Sequence, residues 1–141
     1  MRIRRANQSD VPDTTLLAHE LGYRCKESDI RERLSQISRK KDHLVLVCVE
    51  DRKVIGWIHG FIRTILEDPI SVEIGGFVVT RRHRRNGVGS FLLEKMEEWA
   101  TSHGISKISL GTNVKRKSAH RFYYKRGFHK TKVHYRLTKY L

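Results

Sequence analysis

Between Arg81 and Ala100 the chain reads RRHRRNGVGSFLLEKMEEWA: five cationic or titratable side chains among the first six residues, two glycines one residue apart, then an amphipathic run. Arg84, Gly87 and Gly89 form the pattern R-x-x-G-x-G. The first turn of a helix leaves about four N–H groups without partners and carries a partial positive charge, so it is a natural seat for an anion. Glycine at 87 and 89 lets the backbone approach that anion with no Cβ in the way. Arg84 and Arg85 add full charges. These residues predict the cradling of phosphate, with a diphosphate as the occupant. The pattern is not GxGxxG, because Ser90 and Leu92 stand in the places that would follow, and no GKS or GKT is present.

Such a loop needs a strand leading in and a helix leading out. ISVEIGGFVV (70–79) reads as the strand, and Gly75-Gly76 in its middle predicts a bulge or a close backbone approach. From Gly87 onward, Val88, Phe91, Leu92, Met96 and Trp99 recur near a period of about 3.6, which predicts a helix with one core face, closed near Gly104. Upstream, RIRRA is a short strand. SDVPDTTLLAHELG is a helix capped by Ser9 or Asp10, with Pro12 in its first turn and Gly22 at its end. SDIRERLSQIS is a second, more polar helix with Ile30, Leu34 and Ile37 on one face. HLVLVCVE and VIGWIHGFIRTIL flank the charged turn Asp51-Arg52-Lys53 as an antiparallel hairpin. Downstream, ISKISLGT is a strand, RKSAHRFYYKR a helix ended by Gly127, and FHKTKVHYRLTKYL a final strand by its alternation. This order predicts an α/β (α+β) protein with a mixed sheet, as one domain over residues 1–141.

VEIGGFVVTRRHRRNGVGSFLLEKMEEWA, with AHRFYYKRGF further on, resembles the GNAT superfamily of acetyl-CoA-dependent N-acetyltransferases. The likeness rests on R-x-x-G-x-G, on V-x-x-x-x-R ahead of it and on A-x-x-x-Y-x-x-x-G-F behind it. Through the element order it extends over essentially the whole chain. It implies a mixed, mostly antiparallel central sheet of about six to seven strands flanked by about four helices. It also implies acetyl-CoA as cosubstrate. Backbone groups of Phe77, Val78 and Val79 would pair with the pantetheine arm as an added strand does. The amides of Arg85, Asn86, Gly87, Val88, Gly89 and Ser90, beside Arg84, would hold the pyrophosphate, and Asn113 would lie along the pantetheine.

The same resemblance assigns catalytic parts. Tyr123 falls where the family places its general acid; a phenol with a pKa of about 10 is protonated at neutral pH and can donate. Tyr124, about 100° away on a helix, then points elsewhere. Glu73, on the strand leading to the loop, falls where many members carry an activating glutamate, acting as base through water. A cross-strand salt bridge for Glu73, or capture of already neutral amine, are the alternatives. The N–H of Val79 is the implied donor to the thioester oxygen.

The run TNVKRKSAHRFYYKRGFHKTKVHYRLTKYL is similar to the subgroup containing aminoalkylphosphonate N-acetyltransferases, which implies a small amine, one with an anionic group, as acceptor. HELGYRCKESDIRERL and GWIHGFIRTILEDP would line its cavity, with Tyr23, Trp57, His59 and Arg63 as candidates. Arg63 or a neighbouring cation would hold a phosphonate. A polycationic aminoglycoside would need an acidic cleft, to which Glu20, Glu27, Glu67, Asp68 and Glu73 could contribute. A protein or peptide N-terminus is the remaining enzymatic alternative.

Composition sets the outer limits. At 141 residues the chain can bury about two-thirds of its unfolded surface. Twenty-nine Lys plus Arg against 15 Asp plus Glu give +14, a balance that favours nucleic acid, an acidic membrane surface or a phosphate-rich small molecule. RRHRR, KRK and the aromatic, basic tail could bind nucleic acid, the non-enzymatic alternative, but no RRM, KH or helix-turn-helix signature accompanies them. No segment approaches the roughly 20 apolar residues of a membrane span, and the N-terminus lacks a signal peptide's apolar centre. Two cysteines are too few for a disulfide framework, so a reducing cytoplasm is expected, with Cys48 as a small core residue. The eight histidines show no metal-ligand spacing, and no metal is expected. A homodimer is implied by analogy of fold.

Overall fold

The computed structural model describes residues 1–141, which form two compact units, Met1–Gly111 and Thr112–Leu141. In the first unit the segments rich in β-branched and aromatic residues pair in chain order, as suits a pleated, half-buried surface. Strands β1 (Arg2–Arg5), β2 (His43–Glu50), β3 (Lys53–Ile65) and β4 (Asp68–Val79) are antiparallel neighbours, and β5 (Ile108–Leu110) joins parallel to β4. The β2–β3 hairpin turns on Asp51 (φ 51°) and Arg52 (φ 65°), a left-handed pair whose twist matches that of the flanking strands. The sheet therefore has five strands where six to seven were expected, within the expected mixed, mostly antiparallel plan.

Helices α1 (Val11–Glu20) and α3 (Val88–Ser102) pack on opposite faces of this sheet, and α2 (Glu27–Ser38) packs against β2. On one face Leu17 of α1 meets Val47, Val54 and Val78, with Trp57 against them. On the other, a Cβ at Gly56 would lie 3.2 Å from Leu92 and Val88, and one at Gly60 would lie 2.5 Å from Met96 Sδ. Leu92, Leu93 and Met96 are fully buried, whereas Phe91, expected on the core face, is 36% exposed. The apolar arc of α3 is thus rotated towards Leu93.

A bulge decides which residues reach which face. His59 pairs with Gly76 and Gly60 with Ile74, so Gly75 is an extra residue on β4, where a bulge was expected. Ile74 lies opposite Gly60 on the α3 face, but Val78 lies opposite Trp57 on the α1 face, although both positions are even. Gly76 also meets the second expectation, since a Cβ there would stand 2.6 Å from the Trp57 ring.

The start of α1 differs in part from expectation. A 3-10 turn over Gln8–Asp10 precedes it, capped by Asn7, whose Oδ1 accepts from Ser9 N–H at 2.9 Å while Asp10 accepts from Asn7 N–H at 2.8 Å. Asp10 then holds the N-cap position of α1, as expected, but makes no side-chain capping bond there. Asp10 is further occupied by a two-pronged bond from Arg4, at 2.7 and 2.8 Å. Asp13, one turn on, accepts the N–H of Val54 at 3.0 Å and ties α1 to the beginning of β3.

In the second unit α4 (Lys117–Lys125) ends at Gly127, whose φ of 93° closes the helix. Residues 128–141 form no strand, contrary to their alternation. A strand needs a hydrogen-bonded partner, and this unit contains none. Val133, Tyr135, Leu137 and Tyr140 are all exposed.

Candidate functional site

After Val79 the chain turns through Thr80–Gly87 into α3. A single 3-10 turn, Arg81–His83, starts the reversal, and the N–H of Asn86 donates back to His83 O at 3.3 Å. Arg85 (φ 73°) and Gly87 (φ 81°) are left-handed, between an extended Arg84 and the first helical residue, Val88, so the chain reverses sharply just ahead of the helix. The first bond of α3 runs from Phe91 N–H to Gly87 O at 2.9 Å. The amides of Val88, Gly89 and Ser90 therefore precede the helical ladder and are available to an outside acceptor. No atom lies within 4 Å of where a Gly87 Cβ would sit, so Gly87 is needed for its backbone conformation, and the space above it is open. Two side chains brace the loop. Arg84 Nε donates to Val79 O at 3.1 Å, and His83 Nε2 is hydrogen-bonded to Glu50 Oε2 at 3.0 Å. The predicted residues Arg84, Arg85, Asn86, Gly87, Val88, Gly89 and Ser90 thus form one continuous, mostly exposed loop and helix start.

The strand feeding this loop is covered over part of its length. β5 pairs with Val72, Glu73 and Ile74 and reaches no further along β4. Beyond Ile74, past the Gly75 bulge, run Phe77, Val78 and Val79, the stretch expected to accept an added strand. Val78 is buried, and Phe77 and Val79 are partly covered.

Glu73 sits opposite Phe61 and so shares the α1 face of the sheet. Its carboxylate is in none of the ion pairs Arg4–Asp10, Arg63–Asp68, His83–Glu50, Lys95–Glu98 and Lys107–Asp68, and the cross-strand salt bridge does not form. Trp57, His59 and Arg63 project to that face from alternate positions of β3, while Tyr23 lies on the α1–α2 connection, 65% exposed. Arg63 already has a carboxylate neighbour, Asp68 at 3.7 Å, which Lys107 contacts at 2.8 Å. Sequence reading missed His43. Its Nδ1 lies 2.9 Å from His59 Nε2, and the rings stack with centroids 5.2 Å apart. Burial, with His43 adding, pushes the His59 imidazole down from 6.5 to about 4.

In the second unit the two tyrosines of α4 diverge as expected. Tyr123 packs edge-on against Phe122 and Phe128, each at 5.5 Å, and Tyr124 is 53% exposed. Burial raises the Tyr123 phenol above 10, with Arg116 opposing, so it is protonated at neutral pH. Asn113 has local work: its Oδ1 accepts the Lys115 N–H at 2.9 Å, and its carbonyl is bonded to His120 Nε2 at 2.9 Å.

The profile of the Acetyltransferase (GNAT) family matches residues 11–128. An uncharacterized N-acetyltransferase of Bacillus subtilis, YhdJ, is 29% identical over 92 residues, 65% of each chain. An aminoalkylphosphonate N-acetyltransferase of Salmonella typhimurium is 42% identical over 67 residues, 48% of this chain and 42% of its own length. The chain therefore spans under two-thirds of the length of these curated relatives. Among solved structures, AAC(6')-Iy in complex with the bisubstrate analogue CoA-S-monomethyl-acetylneamine superposes with a TM-score of 0.87 at 18% identity, covering 99% of this chain and 98% of that one.

Proposed function

Because the chain belongs to the acetyltransferase (GNAT) family, we propose that it is an acyltransferase moving an acetyl group from acetyl-CoA to the primary amine of a small molecule. The observation that carries this reading is the loop Arg84–Ser90: a left-handed Gly87 followed by helix amides that lie ahead of the first intrahelical bond. Those amides and Arg84 hold the pyrophosphate. The pantetheine lies along Phe77–Val79, beyond the reach of β5, with Asn113 alongside it, and the Val79 N–H polarises the thioester oxygen.

Three proton and charge movements remain. Glu73, with no cation paired to it, takes the ammonium proton through a water. The freed amine attacks the carbonyl. Tyr123, kept protonated by burial, gives its proton to the departing thiolate and regains one from the nitrogen, which loses its second proton as the amide forms. The acceptor is a small amine bearing an anionic group, an aminoalkylphosphonate for example, held by Arg63. The 42% identical stretch shared with the phosphonate enzyme supports this choice. An aminoglycoside is the second reading, favoured by the fold of AAC(6')-Iy. No helix is long and apolar enough to cross a membrane. A cytoplasmic location and a homodimer complete the proposal.

Release of free thiol from acetyl-CoA, measured against 2-aminoethylphosphonate, kanamycin, spermidine and a free-amine peptide, tests the reading. Turnover of 2-aminoethylphosphonate above the other three is the expected result. No thiol release with any amine refutes acetyl transfer to this range of acceptors. In Tyr123→Phe, kcat should fall about 10²-fold with acetyl-CoA affinity retained, the range for loss of one acid–base group. Unchanged turnover removes Tyr123 from the acid's role.

A further inference from the structure

The α1 face of the sheet carries a histidine pair that the chemistry above does not use. His43 Nδ1 and His59 Nε2 are 2.9 Å apart, and their planes are 23° from parallel. Both rings lean on Phe61, with centroids at 5.3 and 5.9 Å, and Phe61 is the cross-strand neighbour of Glu73. His59 Nδ1 overhangs the bulge: it lies 3.4 Å from where a Cβ on Gly75 would stand. The one histidine paired with a carboxylate is His83, so nothing anionic pins either ring as an imidazolium. The shared hydrogen bond occupies one nitrogen of each ring.

Elementary bookkeeping of protons then gives the pair its character. Two neutral imidazoles own two N–H bonds. One lies in the link between the rings, so the two outer nitrogens always offer one donor and one lone pair. A proton entering at one end and another leaving at the far end convert one such state into the other, with no change in net charge.

We propose that His43 and His59 form the proton exit for acetyl transfer, a two-imidazole relay running from the bulge beside Glu73 to the start of β2. The proposal rests on the reading that the acceptor amine is deprotonated at Glu73. In the step, the ammonium N–H bond breaks, a water carries that proton to the Glu73 carboxylate, and Glu73 passes it on through water to His59 Nδ1. The proton on His59 Nε2 moves to His43 Nδ1, and the proton on His43 Nε2 leaves to solvent. The amine keeps the electron pair that attacks the thioester. Between turnovers, once product has left and water fills the site, a proton from solvent enters at His43 Nε2 and the His59 Nδ1 proton is discharged to that bulk water, which resets the pair without returning a proton to Glu73. Burial keeps His59 neutral near pH 7, the form in which the relay works.

Glutamine can hold a hydrogen bond at either position but cannot pass a proton by exchanging tautomers. In His43→Gln and His59→Gln, assayed with acetyl-CoA and the fastest amine of the four, kcat should fall about 10²-fold with little change in either KM. Added imidazole should restore part of the rate, and acetyl-CoA should raise the melting temperature as in the parent. Nitrogen-15 spectra of the free protein should show the His59 ring neutral near pH 7, with one N–H shared between the two rings. Undiminished kcat in His43→Gln, a loss confined to KM, a loss that imidazole does not relieve, or an imidazolium in the pair overturns the relay alone. A parent protein that transfers no acetyl group to any of the four amines overturns the acetyltransferase reading instead, a failure seen before any variant is made.

Discussion

His59 takes up its proton near pH 4 in the native protein instead of 6.5, because burial and His43 disfavour the imidazolium. The unfolded chain binds that proton below 6.5, while the native chain resists it until about 4. Stability from this group is therefore complete above 6.5 and is lost as pH falls through the window, by roughly 3 kcal/mol at its lower end. Urea unfolding of the parent at about pH 7.5 and about pH 4.5 should show this loss, and His59→Gln should show a shallower one. Equal slopes in the two proteins would assign the acid sensitivity elsewhere. Asp10 acts lower on the scale. Burial pushes its carboxyl up, but the bonds from Arg4 and Asn7 N–H outweigh this and hold it below 3.8, so its contribution disappears only at still lower pH. A second contrast at this scale concerns two glycines. A methyl at Gly60 meets the flexible end of Met96, whereas one at Gly76 strikes the Trp57 ring at 2.6 Å. Gly76→Ala should cost about 1–3 kcal/mol and Gly60→Ala less, as thermal unfolding would read.

At the scale of elements, the loop and helix start at Arg84–Ser90 were legible because their signal is local. Arg84, Gly87 and Gly89 fall within one six-residue stretch whose backbone requirements do not depend on distant partners. Gly87 does adopt a left-handed φ of 81°. Gly87→Ala should therefore cost about 1 kcal/mol in stability from strain alone. It should also weaken acetyl-CoA binding by calorimetry, since a shifted loop misdirects the amides of Val88–Ser90. Intact affinity would show that another segment supplies the anion contacts. What the sequence concealed was non-local. The bulge at Gly75 was visible as two glycines, yet its consequence, Ile74 and Val78 on opposite faces, needs the register against β3. His43 could not be found, because its link to His59 crosses the hairpin diagonally, and no spacing along the chain marks it. Asp10 does stand at the N-cap of α1, but its carboxylate is held by Arg4 and by Asn7 N–H, and so makes no capping bond to the helix. The tail 128–141 shows the converse error, since alternation without a partner strand leaves Tyr135 and Leu137 exposed.

For the whole molecule the dominant fact is the net charge of +14 on 141 residues. Charge of that size raises the local concentration of any polyanion and accelerates its encounter, but the effect fades once the screening length falls to about 8 Å near physiological salt. Contacts made by backbone amides at a helix start act over hydrogen-bond distance and are screened less. The two contributions separate with ionic strength. Raising sodium chloride from about 20 to about 300 mM should lower kcat/KM for acetyl-CoA several-fold while leaving kcat nearly constant. Duplex DNA, attracted by charge alone, should raise the melting temperature slightly at low salt and not at all at high salt, whereas acetyl-CoA should raise it at both. A DNA-induced shift that survives high salt would mean that the basic surface is a built nucleic-acid site. The excess of Lys and Arg would then serve recognition, and the loop at Arg84–Ser90 would no longer be the main reason for it.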